Sequence, residues 1–192
     1  MTRILILQGH PDPDEGHLDH ALAGAYREGA EGAGFAVDAY TIAHRDFPLL
    51  RNQAEFLSET VPPAILEAQE LIEASHHLVL IYPLWLGDMP SGVKGFLEQT
   101  LRPAFVADGD MNRLRHTRLK GRSVRIVVTM GMPAFVYRWW FGAHSLKSLE
   151  RNVLRFCGFG PVRHTLIGQD GGDAASRERW LHRMRALGAQ AR

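Results

Sequence analysis

Three short stretches of this chain bring together residue types that do chemistry. The first, Gln8-Gly9-His10-Pro11-Asp12-Pro13-Asp14-Glu15-Gly16-His17-Leu18-Asp19-His20, holds three histidines among acids and glycines. It joins an apolar run to a helical pattern, where free backbone N–H groups and the helix dipole favour an anion. His10 and His17 add donors suited to a phosphate. The acids Asp12, Asp14 and Glu15 would repel a dianion, so they must turn outward or cap the helix. His17 and His20 also form an HxxH pair, a spacing that can bind a metal on one helix face. A capped turn with surface histidines is the plain alternative.

The second stretch is Tyr82-Pro83-Leu84-Trp85-Leu86-Gly87-Asp88-Met89-Pro90-Ser91-Gly92. Backbone polar groups and apolar walls together suit a flat ring with a polar edge. Trp85 folded back onto the core is the alternative. The third is Thr129-Met130-Gly131-Met132-Pro133-Ala134-Phe135-Val136-Tyr137-Arg138-Trp139-Trp140. Gly131 permits close backbone approach. Phe135, Tyr137, Trp139 and Trp140 suit ring stacking, a subunit contact or core packing.

These stretches must be positioned by regular elements. Residues 3–8, 35–41, 77–82, 123–130 and 162–167 are short apolar or alternating runs that predict strands. Helical patterns cover Leu18 to Ala33, a segment opening at Pro62 and Pro63, Ser91 to Leu101, Ser145 to Phe156, and one from Asp173 onward. Gly34 ends the first helix as a left-handed stop. Strands alternating with helices imply parallel pairing with right-handed crossovers. The expected fold is a three-layer α/β sandwich with a five-stranded parallel sheet of order 2-1-3-4-5. Ligands of such sheets bind beyond the carboxyl ends of the strands. All three stretches fall at those ends. No internal repeat or linker divides the chain, so residues 1–192 read as a single domain.

The bulk properties narrow the function classes. The 192 residues are 45% hydrophobic and 22% charged, with a formal net charge of +1. That balance gives no global field for nucleic acid or for an anionic membrane. The basic cluster Arg113 to Arg122 reads as a solvated loop. Ile4 to Leu7 is too short to span a bilayer, and no signal-peptide design precedes it. The single cysteine, Cys157, excludes an intrachain disulfide and sits between Phe156 and Phe159, which predicts a small buried hydrophobe. A cytoplasmic protein is expected. Residues 102–121 and 44–61 lack clear pattern. Phe105, Val106 and Met111 favour a lid or subunit contact in the first, and Phe47, Leu49, Leu50 and Phe56 favour packing in the second.

In order and spacing, these marks resemble the NAD(P)H:quinone reductase (diaphorase-like) branch of the flavodoxin-like superfamily. They are Gly9-His10-Pro11, Tyr82-Pro83-Leu84-Trp85 with Pro90, Lys94-Gly95-Phe96, Thr129 with Gly131 and Tyr137, and Phe156-Cys157-Gly158-Phe159. The resemblance implies that His10, His17, Leu18 and Asp19 surround a flavin phosphate. It implies that Pro83, Leu84, Trp85 and Leu86 hold the isoalloxazine edge. Thr129, Met130, Gly131 and Met132 would line its pyrimidine side, with Tyr137 and His144 as catalytic residues near the reduced ring. The chain departs from the family pattern where His17 and Asp19 replace a hydroxyl residue and an asparagine.

What the resemblance further implies is a flavoenzyme. FMN is the first choice of cofactor and FAD the alternative. NADPH or NADH would donate a hydride, and a quinone-like acceptor would then enter the same slot in a ping-pong cycle. A homodimer would complete the pocket with residues 135–141 and 102–121, and no metal site is expected. Two other readings remain: a flavoprotein regulatory subunit of a potassium-efflux-type transporter, and a zinc-dependent deacetylase suggested by His10-Pro11-Asp12. The second lacks adjacent aspartates and a distant histidine pair.

Overall fold

Residues with Cβ on alternate sides of an apolar strand serve two cores at once, and this sheet uses both. In the computed structural model, which describes residues 2–14, 16–107, 117–169 and 172–192, five strands form one parallel sheet of order β2-β1-β3-β4-β5. They are β1 (Arg3–Gln8), β2 (Ala36–Thr41), β3 (His77–Pro83), β4 (Ser123–Met130) and β5 (Val162–Gly168). The central strand β3 is buried along its whole length. Leu5, Leu7, Leu80, Ile126 and Val128 face one core; Ile4, Ile6, Val79, Ile81 and Val127 face the other. Each such side chain contributes roughly 1.5–3 kcal/mol through its removal from water.

Helices α1 (Leu18–Gly32) and α7 (Ala174–Gly188) cover the second core. They pack backbone to backbone: a Cβ on Gly29 would stand 1.9 Å from the Arg185 carbonyl oxygen, and one on Gly188 would stand 2.1 Å from that of Tyr26. The other face carries α3 (Pro63–Ala74), α4 (Ser91–Thr100), α5 (Pro103–Val106) and α6 (His144–Ser148); α2 (Gln53–Leu57) is a short surface turn. The expected helix over 145–156 begins as α6 and continues as π-helical turns over Leu149–Leu154. Gly34 adopts φ +84°, the left-handed stop expected after α1. Cys157 is buried in the first core, where burial pushes its thiol up to about 11.

Two surface expectations change. Phe105 and Val106 do not wait for a lid or a partner; both are buried in the chain's own core, and Met111 lies outside the described residues. In the basic cluster, residues 113–116 also lie outside the described residues, and Arg122 is more than a solvated charge. Its guanidinium donates to the Ile72 and Glu73 carbonyls at 3.1 and 2.6 Å, capping the end of α3. Of the apolar residues of the 44–61 segment, Phe47 packs as expected, its ring 5.9 Å from that of Phe96, and Leu49 reaches Gly95 of α4, but Leu49 and Phe56 remain exposed. Buried Arg102 fastens the far end of that segment through the Ser58 and Thr60 carbonyls.

Candidate functional site

A cleft of about 460 Å³ opens beyond the carboxyl ends of β1, β3 and β4. This lies within the roughly 300–1,000 Å³ range of small-molecule sites. His10, Gly16, His17, Leu18, Asp19 and Ala21 line one end, Pro83, Trp85 and Thr129 the other, and α7 closes a side with Arg177 and Leu181. The structure thus brings His10, His17, Leu18 and Asp19 together with Pro83, Trp85 and Thr129. It does so because β1 and β3 pair in parallel and end at the same edge, Gln8 opposite Ile81 with β3 continuing to Pro83. Gly9 lets the first loop leave that pair, since a Cβ there would meet the Ile81 carbonyl at 2.9 Å.

Asp12 and Asp14 turn onto the loop itself, and Glu15 lies outside the described residues. Asp14 N–H donates to the Asp12 carboxylate and Gly16 N–H to the Asp14 carboxylate, both at 3.0 Å. The Asp12 carboxylate also takes the His17 Nε2 at 3.0 Å, and these contacts, the Asp14 N–H first, hold it below the usual carboxylate range. His10 Nδ1 lies between the Asp12 N–H at 3.2 Å and the Asp12 carbonyl oxygen at 3.1 Å, so the ring is tied to its own loop. Burial is the main cause that lowers the His10 pKa, so the ring is neutral near pH 7. The His10 and His17 rings stack at 4.0 Å. Asp19 is 2% exposed, and its Oδ2 accepts from Thr129 Oγ1 at 3.2 Å, so that acid is turned toward β4. His17 stands as the N-cap of α1 without a side-chain cap bond. Within that turn the His20 N–H donates back to the His17 carbonyl at 3.2 Å, and among the described residues no acceptor is seen for the Leu18 N–H.

After β3 the chain makes a two-residue hairpin turn. Trp85 and Asp88 exchange N–H···O bonds of 2.8 and 2.9 Å across Leu86 and Gly87, whose φ angles are +48° and +81°. Two positive φ angles define a type I′ turn, and a leucine there is strained. Leu86 is fully exposed and Trp85 is 52% exposed, so Trp85 does not fold back onto the core. Leu84 N–H is taken by the Thr129 carbonyl and Trp85 N–H by that of Asp88. Among the described residues, no intramolecular acceptor is seen for the N–H groups of Leu86, Gly87, Gly131 and Met132. Met130 is buried in the core, whereas Gly131 is exposed.

Tyr137 and His144 lie apart from the residues lining the cleft. Tyr137 is 3% exposed, its hydroxyl meets Ser145 Oγ at 2.8 Å, and it accepts from Leu146 N–H at 3.2 Å. His144 is exposed and stacks over Gly142. Of the aromatic run only Tyr137 is core; Phe135, Trp139, Trp140 and Phe141 are exposed. Arg177 and Leu181 are the lining residues that sequence reading missed. Their only signal was an amphipathic helix, which does not say what its first turns face. Among the described residues, no three His, Cys, Asp or Glu side chains are placed to share a metal ion. No described helix is long and apolar enough to cross a membrane.

A flavin nucleotide has an anionic end and a flat ring with a polar edge. The cleft fits both. The Leu18 N–H and Arg177 suit the anion, and Pro83 and Trp85 suit the ring; Leu84, Leu86, Met130, Gly131 and Met132 are not among the lining residues.

The family model of the flavodoxin-like fold matches residues 2–187. Solved structures share the fold over almost the whole chain. One is the NAD(P)H:quinone oxidoreductase from Methanothermobacter marburgensis, with 22% identity and TM-score 0.81 over 98% of this chain and 94% of that one. A second is a quinone reductase from Klebsiella pneumoniae, with 16% identity and TM-score 0.80 over 97% and 83%. A third is the FMN-dependent NADH-azoreductase from Bacillus anthracis in complex with FMN, with 13% identity and TM-score 0.73 over 99% of each chain. No curated protein matches the chain.

Proposed function

The chain belongs to the flavodoxin-like fold family, and from that premise we propose that it is an FMN-dependent NAD(P)H:quinone oxidoreductase. One observation carries the reading: a single cleft joins the open first turn of α1 to the ends of β3 and β4. The names of the structural neighbours, a quinone oxidoreductase and an azoreductase that holds FMN, support the same class. FAD is the alternative cofactor. A bound flavin would supply two-electron chemistry between NADPH or NADH and a flat acceptor, in a ping-pong cycle.

The chain's own residues bind and orient. Leu18 offers its main-chain N–H to the phosphate, and the His10 ring lies at the same end of the cleft. Pro83 and Trp85 wall the ring. Leu86 and Gly87 present the N–H groups that Leu84 and Trp85 cannot, since theirs are committed. The N–H groups of Gly131 and Met132 would be fixed donors for negative charge on the pyrimidine edge. Thr129 holds Asp19 away from the phosphate. Tyr137 acts as a positioning residue that pins the 143–146 corner, with His144 on the outer side of that corner. The exposed aromatics Phe135, Trp139, Trp140 and Phe141 form the contact of a homodimer.

The test is direct. The purified protein, reconstituted with FMN, is expected to show a flavin spectrum and to oxidise NADPH or NADH only when a quinone is added. A protein that stays colourless after incubation with FMN and with FAD would refute the reading. Sedimentation at micromolar concentration checks the dimer.

A further inference from the structure

We propose that Arg177 reads the 5′-phosphate of the flavin, so that the cleft selects a phosphorylated flavin over riboflavin. The inference rests on the flavin reading above and adds a residue from the far end of the chain to the phosphate site.

The first loop cannot neutralise a dianion by itself. Its N–H groups at Asp12, Asp14 and Gly16 are committed to its own side chains, and the His17 ring is engaged by the Asp12 carboxylate. Burial keeps the His10 ring neutral. Asp19 adds a buried carboxylate to the lining. A dianion placed at the first turn of α1 therefore gains from a permanent cation on another element. Arg177 is the one lysine or arginine among the lining residues.

Arg177 is also uncommitted. It stands in the first turns of α7 and is exposed, and its guanidinium has no hydrogen-bond or ion-pair partner among the described residues. Other arginines of the same helix are engaged: Arg179 with Ser176, Arg185 with Glu28 and Glu178, and Arg183 over the Trp180 ring. The helix that carries Arg177 is fixed relative to the loop, because Gly29 and Gly188 let α1 and α7 meet backbone to backbone. A guanidinium presents paired donors that match two phosphate oxygens, a geometry that lysine lacks.

The experiment compares FMN with riboflavin, two ligands that differ only in the phosphate, on the wild type and on Arg177→Gln. Flavin fluorescence quenching gives both affinities. The wild type is expected to prefer FMN. Arg177→Gln is expected to lose about tenfold or more in FMN affinity while riboflavin affinity stays unchanged. Arg177→Lys should recover part of the loss, and added salt should weaken FMN binding less in Arg177→Gln than in the wild type. An unchanged FMN-to-riboflavin ratio in Arg177→Gln overturns the proposal, as does a ratio abolished by His17→Gln but kept in Arg177→Gln. In both cases riboflavin still binds, so the flavin reading stands. If neither flavin binds the wild type, that reading falls and this inference with it. The exposed position of Arg177 predicts unchanged thermal unfolding, which separates lost recognition from lost folding.

Discussion

At the ends of the strands where the chain enters the sheet, polar side chains are buried and turned inward. His77 Nδ1 meets Ser123 Oγ at 2.7 Å, and its ring stacks on Tyr26 at 6.3 Å. Arg125 donates to Thr165 Oγ1 at 2.7 Å and to the main-chain oxygen of Arg192, which also accepts from the Tyr26 hydroxyl. At the opposite ends, His10, Asp19, Thr129 and Arg177 line an open cleft beside main-chain N–H groups that have no internal acceptor. The two ends use the same residue types. Arginine and histidine are structural at one end, where they are buried and bonded internally, with His77 Nε2 left unpaired. At the other they suit a ligand, because donors there face an open cleft. Residue type therefore does not mark a site; an unpaired donor open to a cleft does.

The sharpest way to break this contrast is to remove a buried donor at the structural end. Arg125→Met leaves Thr165 Oγ1 without its donor and the Arg192 oxygen with the Tyr26 hydroxyl alone, and is expected to cost about 3 kcal/mol in denaturant unfolding. Flavin affinity of the folded fraction should not change. A loss of flavin affinity without loss of stability would erase the distinction between the ends.

The next effect is a dependence on pH. Burial, followed by the charges of Arg125 and Arg163, lowers His77 from 6.5 to about 4. The unfolded chain thus binds a proton near pH 6.5 that the folded chain refuses until about pH 4. The stability from neutral, buried His77 is complete above pH 6.5 and falls away down to about pH 4, by at most on the order of 3 kcal/mol. In His77→Gln this part of the slope should flatten in urea titrations across that window.

At the open end, Thr129→Val removes the hydroxyl that holds Asp19. FMN affinity is expected to drop about tenfold, with a stability loss near 1 kcal/mol. Calorimetric titration checks the first and thermal unfolding the second. A large stability loss with unchanged affinity would move Thr129 to the structural class. The smallest effect concerns Leu86, which sits exposed at φ +48°. Leu86→Asn tolerates that backbone better and is expected to raise stability by roughly 0.5–1 kcal/mol. Any accompanying change in flavin affinity would show whether the leucine side chain itself touches the ring.

Much of this was written in local pattern. The five strands, their order and the stop at Gly34 follow from apolar runs, their spacing with helices, and one residue free to take a left-handed conformation. The gathering of His10, His17, Asp19, Pro83, Trp85 and Thr129 also followed, because parallel strands end together and carry their loops to one edge. The reading of Phe105 and Val106 as a subunit contact failed, since a short apolar pair looks the same whether it packs within the chain or against another.

What the sequence by itself determined is therefore the architecture and the edge of the sheet where chemistry can occur, because both depend on periodicity along one chain. Only the tertiary structure decided which polar groups remain available there. Asp12 and Asp14 turned out to be engaged by their own loop, Leu84 and Trp85 had committed their N–H groups, and Tyr137 was tied to Ser145 and Leu146. Arg177 came into the cleft from a helix more than 150 residues away in sequence from the histidines. Availability is a property of pairs, set by which groups packing brings within about 3 Å of one another, and neither composition nor spacing carries that distance.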